Sequence, residues 1–426
     1  MSHAPRTIIE YEILDAKEAK KRTLKGSTSQ MDGRVKLTIL DKNKKPRLVH
    51  TQPFGSYVSN FGKILNYLFT GATNVGMKDT SGSATASNGY AIDLSSAIAN
   101  ENNYGIFIGD LRNATGFSTF TPAVGIGQTI QLSDHQLYRK LPHNGGTPDT
   151  DTTYDATSVT AVNDNILKIS RTFTCSRSAG LKVSEVGLIA KDINYAKYLL
   201  LARDFVISKA GNYVQVLNGE TIQIDYIFTI TDGSSFTTNF LRILESINKA
   251  SANASVQPKT TGGSTANTTF GRATTATKAR ITAPATGAYG IVVGGTTGGS
   301  PPTDSVPIPV VSDYKLNSKI SHTSLAHGIV TAISLTANSG ETKFGVYRDF
   351  TNNGTSNIFV NEVGVVAKNN TTSLHYLINR SLLTSGDKPY VVVEPDKTLR
   401  IKVYYVFDIG SVIDLGVNPL SIKPQS

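Results

Sequence analysis

Several stretches of this chain alternate apolar and polar residues with period 2, the pattern of half-buried β-strands. Lys168-Ile169-Ser170-Arg171-Thr172-Phe173-Thr174 is one, and Thr221-Ile222-Gln223-Ile224-Asp225-Tyr226-Ile227-Phe228-Thr229-Ile230 is another. Residues 183–190 and 198–202 are more continuously apolar, as expected of strands covered on both faces. Asn218-Gly219, Asn353-Gly354, Ser339-Gly340, Ser385-Gly386 and Glu394-Pro395 supply turn signals between such runs. Two stretches carry a helical period instead. Phe61, Ile64, Leu65 and Leu68 fall at i, i+3, i+4 and i+7, and Phe240, Ile243, Leu244 and Ile247 repeat that spacing. Ser56 and Ser235 stand just ahead and read as helix caps.

The pattern recurs along the chain. Ser56-Tyr57-Val58-Ser59-Asn60-Phe61-Gly62-Lys63-Ile64-Leu65 matches Ser235-Phe236-Thr237-Thr238-Asn239-Phe240-Leu241-Arg242-Ile243-Leu244 at an offset of 179. Tyr104-Gly105-Ile106-Phe107-Ile108-Gly109 matches Tyr289-Gly290-Ile291-Val292-Val293-Gly294 at 185. Leu132-Ser133-Asp134-His135-Gln136-Leu137 matches Val311-Ser312-Asp313-Tyr314-Lys315-Leu316 at 179. Glu185-Val186-Gly187-Leu188-Ile189-Ala190-Lys191 matches Glu362-Val363-Gly364-Val365-Val366-Ala367-Lys368 at 177, and Tyr226-Ile227-Phe228 matches Tyr405-Val406-Phe407 at 179. Blocks in one order at nearly one offset read as a tandem duplication of a unit of about 180 residues.

The pattern predicts a mainly β chain: two tandem jelly-roll-like antiparallel β-sandwiches, each with one short helix packed across it. The expected divisions are an N-terminal arm over 1–32, unit one over 33–231, unit two over 232–410 and a C-terminal tail over 411–426. Each helix is followed by a long polar stretch, 70–103 and 249–287. Connections of this length are usually functional or mobile.

Composition narrows the chemistry. Charged residues are only 17 % of the 426, and there is no Trp and one Cys, Cys175. A single Cys forms neither an intramolecular disulfide nor a Cys-based metal site. No run of about 18 apolar residues predicts a membrane span. The first residues lead into polar sequence, so no secretory signal is expected. Asn113 and Asn267 head Asn-x-Thr sites and read as polar loops.

Duplication supplies an internal test: a residue kept in both halves most simply serves the fold that both share. Glu185 and Glu362 are kept, as are Arg203 and Arg380, and Arg171 and Arg348. They read as structural pairs, Glu185 with Arg203 and Glu362 with Arg380, on neighbouring strands. A second carboxylate kept at the same spacing is expected to be missing, which leaves a glycosidase arrangement without support. None of the seven His forms a His-Glu-x-x-His motif, and His322 and His327, five apart in a Ser/Thr-rich loop, read as solvated loop residues. Gly-x-Ser-x-Gly is absent, Gly125-Ile126-Gly127 lacks a third Gly, and the Gly294–Gly299 run lacks a following Lys-Ser/Thr. No catalytic residue, metal site or cofactor is predicted.

Net charge is +10. The excess is concentrated early: Lys17, Lys20, Lys21, Arg22 and Lys25, then Arg34, Lys36, Lys42, Lys44, Lys45 and Arg47. Such clusters meet nucleic acid or acidic protein surfaces. The aromatic spacing of a single-strand-binding platform is missing near them, so an arm that contacts a neighbouring subunit is the expectation.

A resemblance points the same way. Gly290-Ile291-Val292-Val293-Gly294-Gly295-Thr296-Thr297, Pro301-Pro302-Thr303, Asp313-Tyr314-Lys315-Leu316 with Lys319-Ile320, and Asn361-Glu362-Val363-Gly364 together resemble virion structural proteins of tailed bacteriophages and related archaeal viruses. Unit one carries a looser copy, and the stretch 41–61 is similar to the starts of such proteins. Double jelly-roll capsid proteins share the two-unit plan, without recognisable strand motifs here. The resemblance implies a non-enzymatic particle component in capsid shell, decoration, neck or tail, assembled in a host cytoplasm from copies of itself and other virion proteins. A carbohydrate-binding adhesin or tail-fibre protein is the alternative, although 18 Tyr and no Trp offer few sugar platforms. A glycan-active enzyme comes third.

Overall fold

The computed structural model describes residues 5–15, 21–24, 28–53, 57–71, 76–85, 92–95, 97–109, 136–137, 140–141, 143, 152–193, 195–207, 213–249, 255–270, 278–285, 288–302, 306–338, 341–385, 387–408 and 413–414. The chain is mainly β, with several antiparallel sheets and two short helices among the described residues. Its longer strands are β1 (Arg6–Asp15), β2 (Asp32–Leu40), β3 (Pro46–Pro53), β4 (Gly105–Gly109), β5 (Ser158–Asn163), β6 (Ile166–Cys175), β7 (Glu185–Asp192) and β8 (Lys197–Ile207). They continue with β9 (Thr221–Thr229), β10 (Gly290–Thr296), β11 (Thr331–Asn338), β12 (Glu341–Thr351), β13 (Ile358–Asn369), β14 (His375–Leu382) and β15 (Lys397–Asp408). The helices are α1 (Ser59–Thr70) and α2 (Thr238–Ile247).

The first sheet runs β5–β6–β9–β2–β3, with Thr152–Tyr154 also beside β6. Alternation in β6 turns Leu167, Ile169, Arg171, Phe173 and Cys175 inward and leaves the intervening residues half-buried. The second sheet runs β11–β12–β15–β1, with two short strands, Lys21–Leu24 and Thr28–Gln30, on the outer side of β1. It follows the same order, with β12 in the place of β6, β15 in that of β9 and β1 in that of β2.

That last correspondence corrects the expectation of a separate arm over residues 1–32. Residues 6–15 pair antiparallel with β15, from Arg6 opposite Val406 to Asp15 opposite Lys397. In the first sheet β2 pairs with β9 in the same way. The segment belongs there because Thr7, Ile9 and Tyr11 alternate inward and are buried. Its ends are fastened by ion pairs of Arg6 with Asp408 and of Asp15 with Lys397, and Arg6 also reaches Glu341 at 3.0 Å. The second sheet is therefore completed from the opposite end of the chain. Of the basic residues assigned to the arm, Lys21 and Arg22 fall in the short strand beside β1. Lys17, Lys20 and Lys25 lie outside the described residues, as does most of the expected tail over 411–426.

Two further sheets carry the matched glycine and glutamate strands. In one, β7 lies between β4 and β8. In the other, β13 lies between β10 and β14. Each contains a register shift at the matched step, between Leu188 and Ile189 and between Val365 and Val366.

The helices tie the halves together. The predicted face of α1 is buried, including Phe61, Ile64, Leu65, Leu68 and Phe69. Burying a side chain of this kind contributes about 1.5–3 kcal/mol. Only part of that surface is met by its own half: α1 lies against both β8 and β12. The Phe69 ring packs 5.6 Å from Tyr405 and 6.4 Å from Phe344. Likewise α2 lies against β14 and also against β5 and β6, and Arg242 pairs with Asp164 at 2.8 Å. Each helix thus bridges the two halves, and apolar residues from Ile9 to Phe407 join one core.

The expected serine caps are corrected. Val58 and Thr237 occupy the cap positions, and neither makes a side-chain cap bond. Strand carbonyls fasten the helix starts instead: Val58 N–H donates to Leu201 O and Thr237 N–H to Ile378 O, both at 3.1 Å. Ser235 lies further out, where its carbonyl accepts the Arg380 N–H at 2.7 Å, and Ser56 is outside the described residues.

Candidate functional site

The kept glutamates and arginines meet as the sequence predicts. Register places Gly187 opposite Arg203 and Gly364 opposite Arg380. Glu185 Oε2 accepts from Arg203 Nε at 2.9 Å and lies 2.8 Å from Nη2, both side chains fully buried. Glu362 Oε2 accepts from Arg380 Nε, also at 2.9 Å. The neighbouring glycines make room. A Cβ at Gly109 would stand 2.5 Å from Glu185 Oε1, and one at Gly294 would collide with Glu362 Oε1. A Cβ at Gly187 would meet Leu137 at 2.6 Å, and one at Gly364 would meet Leu316 at 2.8 Å. The matched blocks are scattered along the sequence but converge on this one packing unit in each half.

The second centre has a third charged member. Arg380 Nη1 donates to Asp313 Oδ2 at 2.8 Å, and Nη2 donates to Pro307 O at 3.2 Å. Asp313 Oδ2 also accepts Val310 N–H at 2.9 Å, while Glu362 Oε1 accepts Ser318 N–H at 2.8 Å. Burial works to lower the Arg380 pKa, but hydrogen bonds and charge from Asp313 and Glu362 outweigh it and raise the pKa above its usual value. This corrects the expectation that no second carboxylate is kept. Asp134 matches Asp313 in sequence, and the repeated Leu/Val-Ser-Asp block carried that signal. Asp134 lies outside the described residues. In the second half both carboxylates bind one guanidinium and accept backbone N–H groups as well. That arrangement anchors the Arg380 charge between two carboxylates.

Arg171 and Arg348 form a second matched pair, held by backbone carbonyls. Arg171 donates to Asp155 O at 2.8 Å, Ile106 O at 3.0 Å and Glu101 O at 2.9 Å, with longer bonds to Tyr104 O and Ile98 O. Arg348 donates to Gly328 O and Ile291 O at 2.8 Å, Pro284 O at 2.9 Å and Tyr289 O at 3.1 Å. Burial lowers both guanidinium pKa values to about 10. Each arginine fixes the loop that enters β4 or β10 to the strand facing it, β6 or β12. Beside each, an aromatic pair carries a lysine. Tyr104 stacks on Tyr198 with Lys191 above it, and Tyr289 stacks on His375 with Lys368 above it.

Other expected residues have structural partners too. Arg47, in the basic run, is buried against Glu220 with two bonds of 2.7 Å. Arg34 pairs with Asp32. His322 is exposed, as expected, but the solvated reading of His327 is corrected: it is buried in a short strand beside β12, packed on Phe350, and its N–H donates to His322 Nδ1 at 3.0 Å. Among the described residues no three His, Cys, Asp or Glu come together as metal ligands. No helix among the described residues is long and apolar enough to cross a membrane.

Asp204 was not singled out from the sequence. It is fully buried, 3.5 Å from the Tyr226 hydroxyl, and its matched position is Ser381. Burial, and then the Asp204 charge, push the Tyr57 and Tyr226 hydroxyls well above the usual tyrosine pKa. Beside the Glu362–Arg380–Asp313 cluster a cleft of about 300 Å³ opens, where Lys259 stands 4.0 Å over the Tyr314 ring and Lys315 at 5.6 Å. Comparison with known proteins finds no matching family, no matching curated relative and no matching solved structure.

Proposed function

We propose that this chain is a structural component of a virus particle and works by assembly with copies of itself and with other virion proteins. Its halves are read as jelly-roll-like sandwiches derived by internal duplication, and its place is the virion, assembled in the host cytoplasm. The observation that carries the reading is the use made of the kept charges. Glu185, Arg203, Glu362, Arg380, Arg171 and Arg348 are all committed to internal bonds that hold strands and loops in register. A subunit that must keep its shape under many contacts needs this rigidity. The two helices and β1 bind the halves into one block, which suits the same role. The basic run at Lys17, Lys20, Lys21, Arg22 and Lys25 is the proposed contact with nucleic acid or an acidic neighbour, and no catalytic step is assigned to the chain.

Mass spectrometry of purified particles from the source organism tests the reading. Recovery of this chain as a stoichiometric component is expected. Its absence from particles, with recovery only in the soluble fraction of infected cells, would contradict it.

A further inference from the structure

An open cleft of about 690 Å³ lies in the second half and shares no lining residue with the Glu362–Arg380–Asp313 cluster. Its walls come from the loop after β10, the turn holding His322 and the loop that follows β12. Among the described residues that line it none is Asp, Glu, Lys or Arg, although the chain carries a net charge of +10. Thr297, His322, Asn353, Thr355 and Ser356 are all exposed there.

These groups sit on a held framework. Asn352 is fully buried, and its Nδ2 donates to Ser356 O and to Val393 O at 2.8 Å, while its Oδ1 accepts Gly354 N–H at 3.0 Å. One buried amide therefore fixes the loop 353–356 without using the loop's own side chains. The ring of His322 is held by the His327 N–H on Nδ1, which in the neutral ring leaves the proton on Nε2. The loop chemistry is peculiar to one half. Asn352-Asn353-Gly354-Thr355-Ser356 corresponds to Cys175-Ser176-Arg177-Ser178-Ala179, which lacks the amides and carries an arginine. By the duplication test, such a difference is not demanded by the shared fold.

We propose that this cleft binds a neutral saccharide. Among the described wall residues an anionic ligand would meet no cation, and an apolar ligand would meet little beyond Ala326 and Ile358. A ligand rich in hydroxyl groups matches the mixed donors and acceptors of Thr, Ser, Asn and His. The volume lies within the range of small-molecule sites, and a fixed framework lowers the ordering cost of binding. The proposal is independent of the assembly reading: a particle subunit and a lectin-like site are compatible on one chain.

The test applies the purified full-length chain to an array of neutral and sialylated oligosaccharides, with hits titrated by calorimetry. Binding to neutral glycans is expected. It should weaken at least tenfold in the double variant Asn353→Ala, Thr355→Ala, with the melting temperature unchanged because these side chains are exposed, and also in His322→Ala, whose melting temperature is read alongside because its ring accepts the His327 N–H. Thr160→Ala on β5 serves as a control and should leave binding intact. An array without neutral hits, a preference for sialylated glycans, or unchanged affinity in both cleft variants would overturn the proposal.

Discussion

Gly62 of α1 lies against Thr342 of β12, so closely that a Cβ added at Gly62 would stand 2.5 Å from the threonine methyl. The glycine belongs to the first half of the chain and the threonine to the second. Inserting a methyl group into such packing costs about 1–3 kcal/mol. Gly62→Ala should therefore lower stability by about that amount in chemical denaturation, and unchanged stability would show that the helix contact yields freely.

The ion pairs make a sharper prediction. Glu185 and Arg203 are both fully buried, so Glu185→Gln removes the carboxylate that the Arg203 guanidinium meets at 2.8 Å. Breaking such a pair costs about 3–5 kcal/mol. Replacing both partners together, as Glu185→Gln with Arg203→Met, should recover part of that loss. The double-mutant cycle reads this directly, and additive losses would argue against a direct pair.

The N-terminal strand is expected to be a stability element. Ile9 is 2 % exposed beside β15. Ile9→Ala should cost about 2–5 kcal/mol. Deleting residues 1–15 should lower the melting temperature, and adding them back as a peptide should raise it again. A truncated chain as stable as the full one would contradict the place given to β1.

Asp79 gives the pH dependence. Burial opposes its ionisation, but bonds from the Ser81 hydroxyl, Lys197 and the Ser81 and Ser83 N–H groups prevail and hold its pKa at about 2. A folded pKa below the unfolded value means that the stabilisation is present above roughly pH 4 and is lost as pH falls towards about 2. Asp79→Asn should flatten the fall of melting temperature across that window relative to the wild type. Parallel curves would count against it.

Much of this was legible in the sequence, for identifiable reasons. Gly187 and Gly364, with the Glu–Arg pairs beside them, recur as matched residues because both halves need the same close packing. Arg171 shares the inward parity of Leu167, Ile169 and Phe173, so its burial was written in the alternation of β6. Other features were hidden. The partner of β1 lies nearly the whole chain away, and the charges around Lys17 masked the alternation of Thr7, Ile9 and Tyr11. Asp313 stood in a repeated block, but its distance in sequence from Glu362 concealed that both bind Arg380. The helices crossing to the opposite half follow from tertiary packing, which local periodicity does not encode.

Cryo-electron microscopy of particles from its source decides whether this chain is, as proposed, a structural subunit of a virus particle. Density for this fold is expected at symmetry-related positions, with subunit contacts commonly exceeding roughly 2,000 Å². Particles whose fully assigned density contains no copy of this fold would contradict it.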